Sequence, residues 1–348
     1  MSEQRGPSAA HEHGDSPVTM AELARLAGTT VPTVSKVLNG RSDVGIATRE
    51  RVMRLVEQTG YRRRRSSAGT DIGGLIDLVI SRVSGPWANL VLSGAERAAA
   101  AAALDVVVTV ARPDQADGTD WVARLLARRS RGAAIALLTP SRPQLQLLAA
   151  TGIPVVLLDP SSDSSVDVPS IGTTDWAGGY AAAAHLAALG HRRVAALAGE
   201  GDYRYGRARI DGFRAGLEQA GIPLPGRRVA PAGWSRAEAE PVARRILVGP
   251  SRPTALFACS DEMAIGAYQA ARNLGLDVPG DLSVVGFDDL PESSWTSPPL
   301  TTVRQPVEEM AAAAMRMLLR LREGMPAGSA REELATELVV RQSTAPAP

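Results

Sequence analysis

VTMAELARLAGTTVPTVSKVLNG, residues 18–40, carries the densest local signals in the chain. Thr19 is followed three residues later by Glu22, the spacing of a capping box, and Met20, Leu23, Ala24 and Ala27 then fall on one helical face. Gly28 and Thr29 break that helix. Thr30 can cap a second helix with Pro32 in its first turn, Val34, Val37 and Leu38 supply its buried side, and Asn39-Gly40 ends it. A third helix is expected over 47–59, with Val52, Leu55 and Val56 inward and Gly60 as its stop. Three short helices, the first two joined by a tight turn containing glycine, make residues 18–61 an all-α helix-turn-helix head. In such a module the second helix enters the major groove and its N-terminal residues meet base edges. Thr30, Val31, Pro32, Thr33 and Lys36 hold those places: Val31 and Pro32 suit a thymine methyl, and Lys36 has the reach for guanine O6 and N7 or for a phosphate. Thr19, Ser35 and Asn39 are candidate phosphate ligands, Thr19 and Asn39 being equally suited to N-cap and C-cap.

Charge supports a nucleic-acid partner. Residues 18–65 hold ten Lys or Arg against four acids, a net of +6, which leaves −5 for the rest of a 348-residue chain whose total is +1. A basic head on a mildly acidic body is the electrostatic footprint of a protein whose head alone approaches phosphates. Lys36 is also the only lysine. Residues 1–17 show no apolar run and read as a disordered leader; with neither signal peptide nor membrane anchor expected, the cytoplasm is the expected compartment. Cys259 is the only cysteine, so an internal disulfide and a cysteine metal cluster are excluded. His11 and His13 lack further ligands, as do His185 and His191, and His191 reads as a dipole-stabilised helix cap. No metal or cofactor is expected.

After a polar linker over 62–74, RRRRSSAGTDIGG with Gly74, short apolar strands alternate with amphipathic helices. LIDLVI (75–80), LDVVVTV (104–110), GAAIALL (132–138) and PVVLLD (154–159) are separated by helices over 88–103, 119–129 and 143–150. That alternation predicts a doubly wound parallel sheet. A serine-rich stretch at 161–165 interrupts it, and the pattern restarts with strands at 193–199, 228–231, 254–260 and 282–289 between helices over 175–189, 206–220, 235–247 and 261–274. Two similar lobes follow: a first over about 75–165 and 300–325, a second over about 170–295 and 330–343, with strands at 300–305 and 336–340, a helix over 306–322 and a tail from 344.

The head, together with RPTALFACSDEMAIGAYQAARNLGLDVPGDLSVVGFDDL (252–290) and PPLTTVRQP (298–306), resembles the lac repressor (LacI/GalR) family from residue 18 onward. The resemblance implies a transcription regulator, a repressor in the first instance, that binds near-palindromic operator DNA as a homodimer or tetramer. It also implies a body like a periplasmic binding protein whose cleft holds a sugar or another small metabolite. The linker departs from the family pattern: Arg62, Arg63, Arg64 and Arg65 are followed by no leucine before Leu75, so arginines on phosphates or in a narrowed minor groove would replace a leucine wedge.

In open α/β sheets ligands sit beyond the carboxyl ends of the strands. Ser81 and Arg82, Asp159, Ser260 and Asp261, and Asp288 with Asp289 stand there. By the resemblance, Asp159, Arg209, Ser260 and Asp288 fall on effector-contact positions, with Trp87 and Trp234 as flanking aromatics. Carboxylate and guanidinium bonds to hydroxyls, with indole on an apolar sugar face, make a coherent carbohydrate site. Asp261 also reads as a helix N-cap, one of Asp288 and Asp289 as a tie for the crossover, and Tyr203 and Tyr205 as specificity residues or loop packing. No G-x-G-x-x-G, P-loop or catalytic triad is present, so an enzyme is not expected; a periplasmic sugar receptor would lack the basic head, and an activator or corepressor-dependent regulator would share the whole architecture.

Overall fold

The computed structural model describes residues 18–38, 43–61, 74–111, 121–162, 167–199, 203–326 and 331–348. The expected leader, Asn39 and the linker arginines Arg62 to Arg65 lie outside them.

The head consists of α1 (Met20–Leu26), α2 (Val31–Leu38) and α3 (Ile46–Thr59). Leu23, Ala24, Ala27, Val34, Val37, Leu38, Val52 and Val56 close into one apolar cluster, the residues whose 3.6-residue spacing marks the inner faces. Gly60 ends α3 with φ at 61°, a left-handed conformation that glycine adopts without the steric cost of a Cβ.

The body contains β1 (Leu75–Ile80), α4 (Pro86–Ala100), β2 (Asp105–Val110), α5 (Trp121–Arg128), β3 (Ala133–Ala136), α6 (Arg142–Ala150), β4 (Val155–Leu158) and β5 (Ser170–Thr173). Next come α7 (Asp175–Ala188), β6 (Val194–Ala198), α8 (Arg204–Gln219), β7 (Val229–Pro231), α9 (Arg236–Leu247), β8 (Ala255–Ala258), α10 (Asp261–Asn273) and β9 (Ser283–Asp288). The chain closes with β10 (Thr301–Arg304), α11 (Val307–Arg322), β11 (Arg331–Leu334) and β12 (Glu337–Val339). Two six-stranded sheets result, in the orders β11-β5-β4-β3-β1-β2 and β12-β10-β9-β8-β6-β7. Every pairing is parallel except β10 with β12. In the first lobe α4 and α11 cover one sheet face and α5 with α6 the other, so strand residues are buried on both sides and read as continuous apolar runs.

Three details of the lobes differ from the sequence reading. The strand expected at 300–305 with the first lobe is β10 of the second sheet, where Thr301–Arg304 pair with Val285–Asp288 along the free edge of β9. Ser170–Thr173 is a strand of the first sheet, and Arg331–Leu334 pairs beside it, so parts of 170–295 and 330–343 belong to the first lobe. SIGT and REEL are too short and too polar to carry a strand pattern; each is held by a neighbour distant in sequence. The chain therefore crosses between lobes after β5, after β10 and after β11. No helix among the described residues is long and apolar enough to cross a membrane.

Candidate functional site

The first chain reversal of each sheet lies next to its founding strand: β1 is flanked by β2 and β3, and β6 by β7 and β8. Crevices form outside the carboxyl ends of strands at such points. Here both sheets open into one cavity of about 820 Å³ whose walls come from the segments after β1, β3, β4, β6, β7, β8 and β9. Trp87, Asp159, Arg209, Trp234, Ser260 and Asp288 all line it, as do Tyr203 and Tyr205.

Arg209 organises the floor. It is 3% exposed, donates from Nε to Asp175 Oδ1 at 2.8 Å and from Nη1 to the Cys259 carbonyl at 2.6 Å, and reaches Asp288 Oδ1 at 3.2 Å. Its guanidinium carbon lies 3.9 Å from the Phe287 ring centre, a stacked cation–π contact. Close helix packing sets this position. A Cβ on Gly179 would stand 2.1 Å from the Arg209 carbonyl oxygen, and one on Gly212 would stand 1.9 Å from that of Trp176, so α7 and α8 meet backbone to backbone. Gln305, between β10 and α11, turns its amide oxygen to Arg209 Nη2 at 2.8 Å and to the Thr173 hydroxyl at 2.9 Å. Asp175 and Gln305 both sit where the chain crosses between lobes, and sequence reading missed them because their partners lie 34 and 96 residues away.

Three buried carboxyls, of Asp159, Asp175 and Asp288, surround this one cation. Burial, reinforced by Asp175, pushes the Asp159 carboxyl up to about 8, and burial pushes Asp288 up to about 7 against the attraction of Arg209. The same acids hold the Arg209 guanidinium more firmly charged than an ordinary arginine. Among the described residues no group donates a hydrogen bond to the Asp159 side chain, which faces the cavity. Asp159, Asp288 and Asp289 all have positive φ, at 47°, 111° and 54°, marking the sharp strand ends that aim them.

An aromatic wall stands beside the acids. Tyr203 stacks on Tyr205 at 5.5 Å, and Trp234 meets Tyr205 edge-on at 5.1 Å. A Cβ on Gly199 would fall 1.9 Å from the Trp234 indole, so this glycine makes room for the ring. Trp87 belongs to the opposite lobe, at the start of α4.

Other sequence-predicted residues take structural roles. Ser260 lines the cavity but is also the N-cap of α10, its Oγ accepting from Met263 N at 3.3 Å. Asp261 is not the cap: its carboxylate accepts from Leu290 N at 2.8 Å and Thr302 Oγ1 at 2.5 Å, tying α10 to two strand ends. Asp289 is the crossover tie, held by Arg341 at 2.5 Å and Arg304 at 2.7 Å. His191 is not a charged cap. It is 1% exposed, bonded to Thr254, Ser283 and the Ala345 carbonyl, and burial lowers its pKa from 6.5. Sequence reading also passed over Leu137, Glu238, Glu262 and Leu290, cavity-lining residues of ordinary loop or helix-start type.

At the head, Thr30 Oγ1 accepts from Thr33 N at 3.3 Å and lies 2.9 Å from Thr33 Oγ1, capping α2, while Thr19 Oγ1 accepts from Glu22 N at 3.2 Å and caps α1. Val31, Pro32 and Lys36 are exposed along α2, and Thr33 and Ser35 are half-buried. Lys36 Nζ pairs with Asp43 Oδ2 at 2.7 Å with both side chains about half exposed, 51% and 56%. So exposed a pair is weakly held and can exchange for a phosphate or a base.

Residues 19–64 match the family described as bacterial regulatory proteins, lacI family, and residues 183–344 match the periplasmic binding protein-like domain. The chain is 35% identical over 341 residues to the HTH-type transcriptional regulator MalR of Streptomyces coelicolor, covering 94% of this chain and 97% of that one. Among solved structures, the lac repressor dimer bound to operator and the anti-inducer ONPF is 30% identical with a TM-score of 0.70, covering 95% of this chain and 100% of that one. The transcriptional regulator CelR–cellobiose complex has the same identity and TM-score, covering 94% and 99%. With an operator-reading head at one end and a ligand cleft between two lobes at the other, the chain belongs to the lacI family of bacterial transcription regulators, whose members bind DNA under the control of a small effector, and it is not an enzyme.

Proposed function

We propose that this regulator is a cytoplasmic, nucleoid-associated repressor, a homodimer or tetramer, whose grip on its operator is changed by a sugar held between the two lobes. Thr30, Val31, Pro32, Thr33 and Lys36 meet bases or flanking phosphates, Thr19, Ser35 and Asn39 meet phosphates, and Arg62 to Arg65 add phosphate or minor-groove contacts. Trp87, Asp159, Arg209, Trp234, Ser260 and Asp288 hold the sugar. The observation that carries the reading is the Asp159 carboxyl, buried without a donor among the described residues, beside a fixed guanidinium and an aromatic wall. Sugar hydroxyls pair with a carboxyl either as donors to its oxygen or as acceptors of its proton, and accept from guanidinium, while the apolar ring face stacks on indole or phenol. A relative that is 30% identical is a complex with cellobiose.

The test is a thermal-shift screen of mono- and disaccharides, with nucleobases as the contrasting class, against wild type and Asp159→Asn. A sugar hit lost in Asp159→Asn supports the site. A nucleobase hit, or a sugar shift that Asp159→Asn leaves unchanged, overturns it. Operator titration with the hit then gives the sign: weaker binding marks an inducer, tighter binding a corepressor.

A further inference from the structure

We infer that the DNA-binding head is seated on the first lobe through α3 and α6, and that this seat holds the reading helix in fixed orientation to the wall of the cleft. The contact has a polar arm and an apolar arm. Glu57 Oε1, on α3, accepts from Gln146 Nε2 at 2.9 Å and from Arg142 Nη2 at 3.2 Å, both on α6. One turn beyond Gln146, Ala150 is 2% exposed and lies within the head's own apolar cluster, with Val52, Val56 and Tyr61. Positions 142, 146 and 150 are spaced i, i+4, i+8, a single stripe along one helix face. Leu145 and Leu148 of the same helix are buried, Leu148 in the core of the lobe, so α6 serves the sheet with one side and the head with another.

The seat leaves the DNA-reading surface uncovered, because it uses α3 while Val31, Pro32 and Lys36 of α2 stay exposed. It is also close to the cleft in the chain. α6 connects β3 to β4, and the residues that follow those two strands, Leu137 and Asp159, line the cavity. A movement of the cleft wall therefore has a packed route to the head that does not pass through residues 62–73. The exposed ion pair alone is a weak bond, and the buried Ala150 contact gives the seat its shape.

The experiment uses the full-length protein. Cys259 is buried, so Glu57→Cys with Gln146→Cys supplies the one accessible thiol pair for a short bismaleimide. The probe is a palindromic duplex selected with this protein from a random pool. The expected result is efficient cross-linking with or without saturating duplex, and a cross-linked protein that binds the duplex within about twofold of the uncross-linked one, because the head is already oriented. Ala150→Glu, a change on the body that leaves the head's own helices untouched, is expected to abolish cross-linking and weaken duplex binding by about tenfold through poorer pre-organisation. Glu57→Arg weakens binding in the same direction, and Arg142→Glu added to it restores binding, which a local folding defect would not do. The inference is overturned if the thiols do not cross-link, if the cross-linked protein loses the duplex, or if Ala150→Glu binds it as tightly as wild type.

Discussion

Asp159 shows how much of this site depends on one residue's surroundings. Its carboxyl and that of Asp288 are raised to about 8 and about 7, so the folded chain keeps protons that the unfolded chain, with aspartates near 3.8, has released. Stability from these protons is full below the ordinary aspartate range and is lost as pH rises through 7 and 8, with a slope of up to about 1.4 kcal/mol per pH unit for each proton. His185 and His191, both lowered from 6.5, act in the opposite sense at more acid pH, so the window above pH 7 isolates the aspartates. Denaturant titrations between pH 7 and pH 9 should show wild type losing stability and Asp159→Asn losing clearly less; parallel curves would contradict the burial argument. Arg209→Met removes the cation that Asp159, Asp175 and Asp288 share and should destabilise the protein by about 3–5 kcal/mol at pH 8, with a smaller loss near pH 5, where Asp159 and Asp288 are protonated. Equal losses at both pH values would show that the guanidinium does not neutralise this cluster. Asp159 and Asp288 were legible from their strand-end positions, and Arg209 from the family resemblance. Asp175 and Gln305 were not, because a helix-start aspartate and a loop glutamine acquire their role only where three chain crossings bring them beneath the guanidinium.

At the scale of elements, helices and strands announced themselves unequally. The head could be read almost to the residue, since caps, turn glycine and inner faces are all local: Thr19, Thr30, Gly28 and the Val34–Val37–Leu38 face need no distant partner. β5 and β11 gave no such signal, because SIGT and REEL, each with one large apolar residue in four, become strands only when β5 finds the edge of β4 and β11 finds the edge of β5. The close packing of α7 on α8 was likewise invisible, although its glycines stand in plain sight. Gly212→Ala must push the helices apart and should cost about 1–3 kcal/mol, with Arg209 displaced and sugar binding weakened more than stability alone explains. Chemical denaturation and ligand titration of the same variant check this; an unchanged affinity would mean that α8 tolerates the shift. Thr30→Ala removes the cap of α2 and should cost about 1 kcal/mol of stability, read from the same kind of melt.

For the whole molecule, the uneven charge, the two lobes and the three crossings combine into a device with DNA at one end and a metabolite at the other. If Arg62 to Arg65 rest on phosphates, replacing all four by Gln should flatten the salt dependence of operator binding by about 0.9 in slope for each phosphate no longer neutralised, and an unaltered slope would remove them from the interface. The central claim is that the cleft and the reading helix share one conformational equilibrium. The measurement is a pair of titrations on the full-length protein: operator duplex with and without the sugar found in the screen, and that sugar with and without operator. One common factor, typically about 5- to 150-fold, should separate each pair of affinities, because coupling between two sites is reciprocal. Identical sugar affinities for free and operator-bound protein would contradict it.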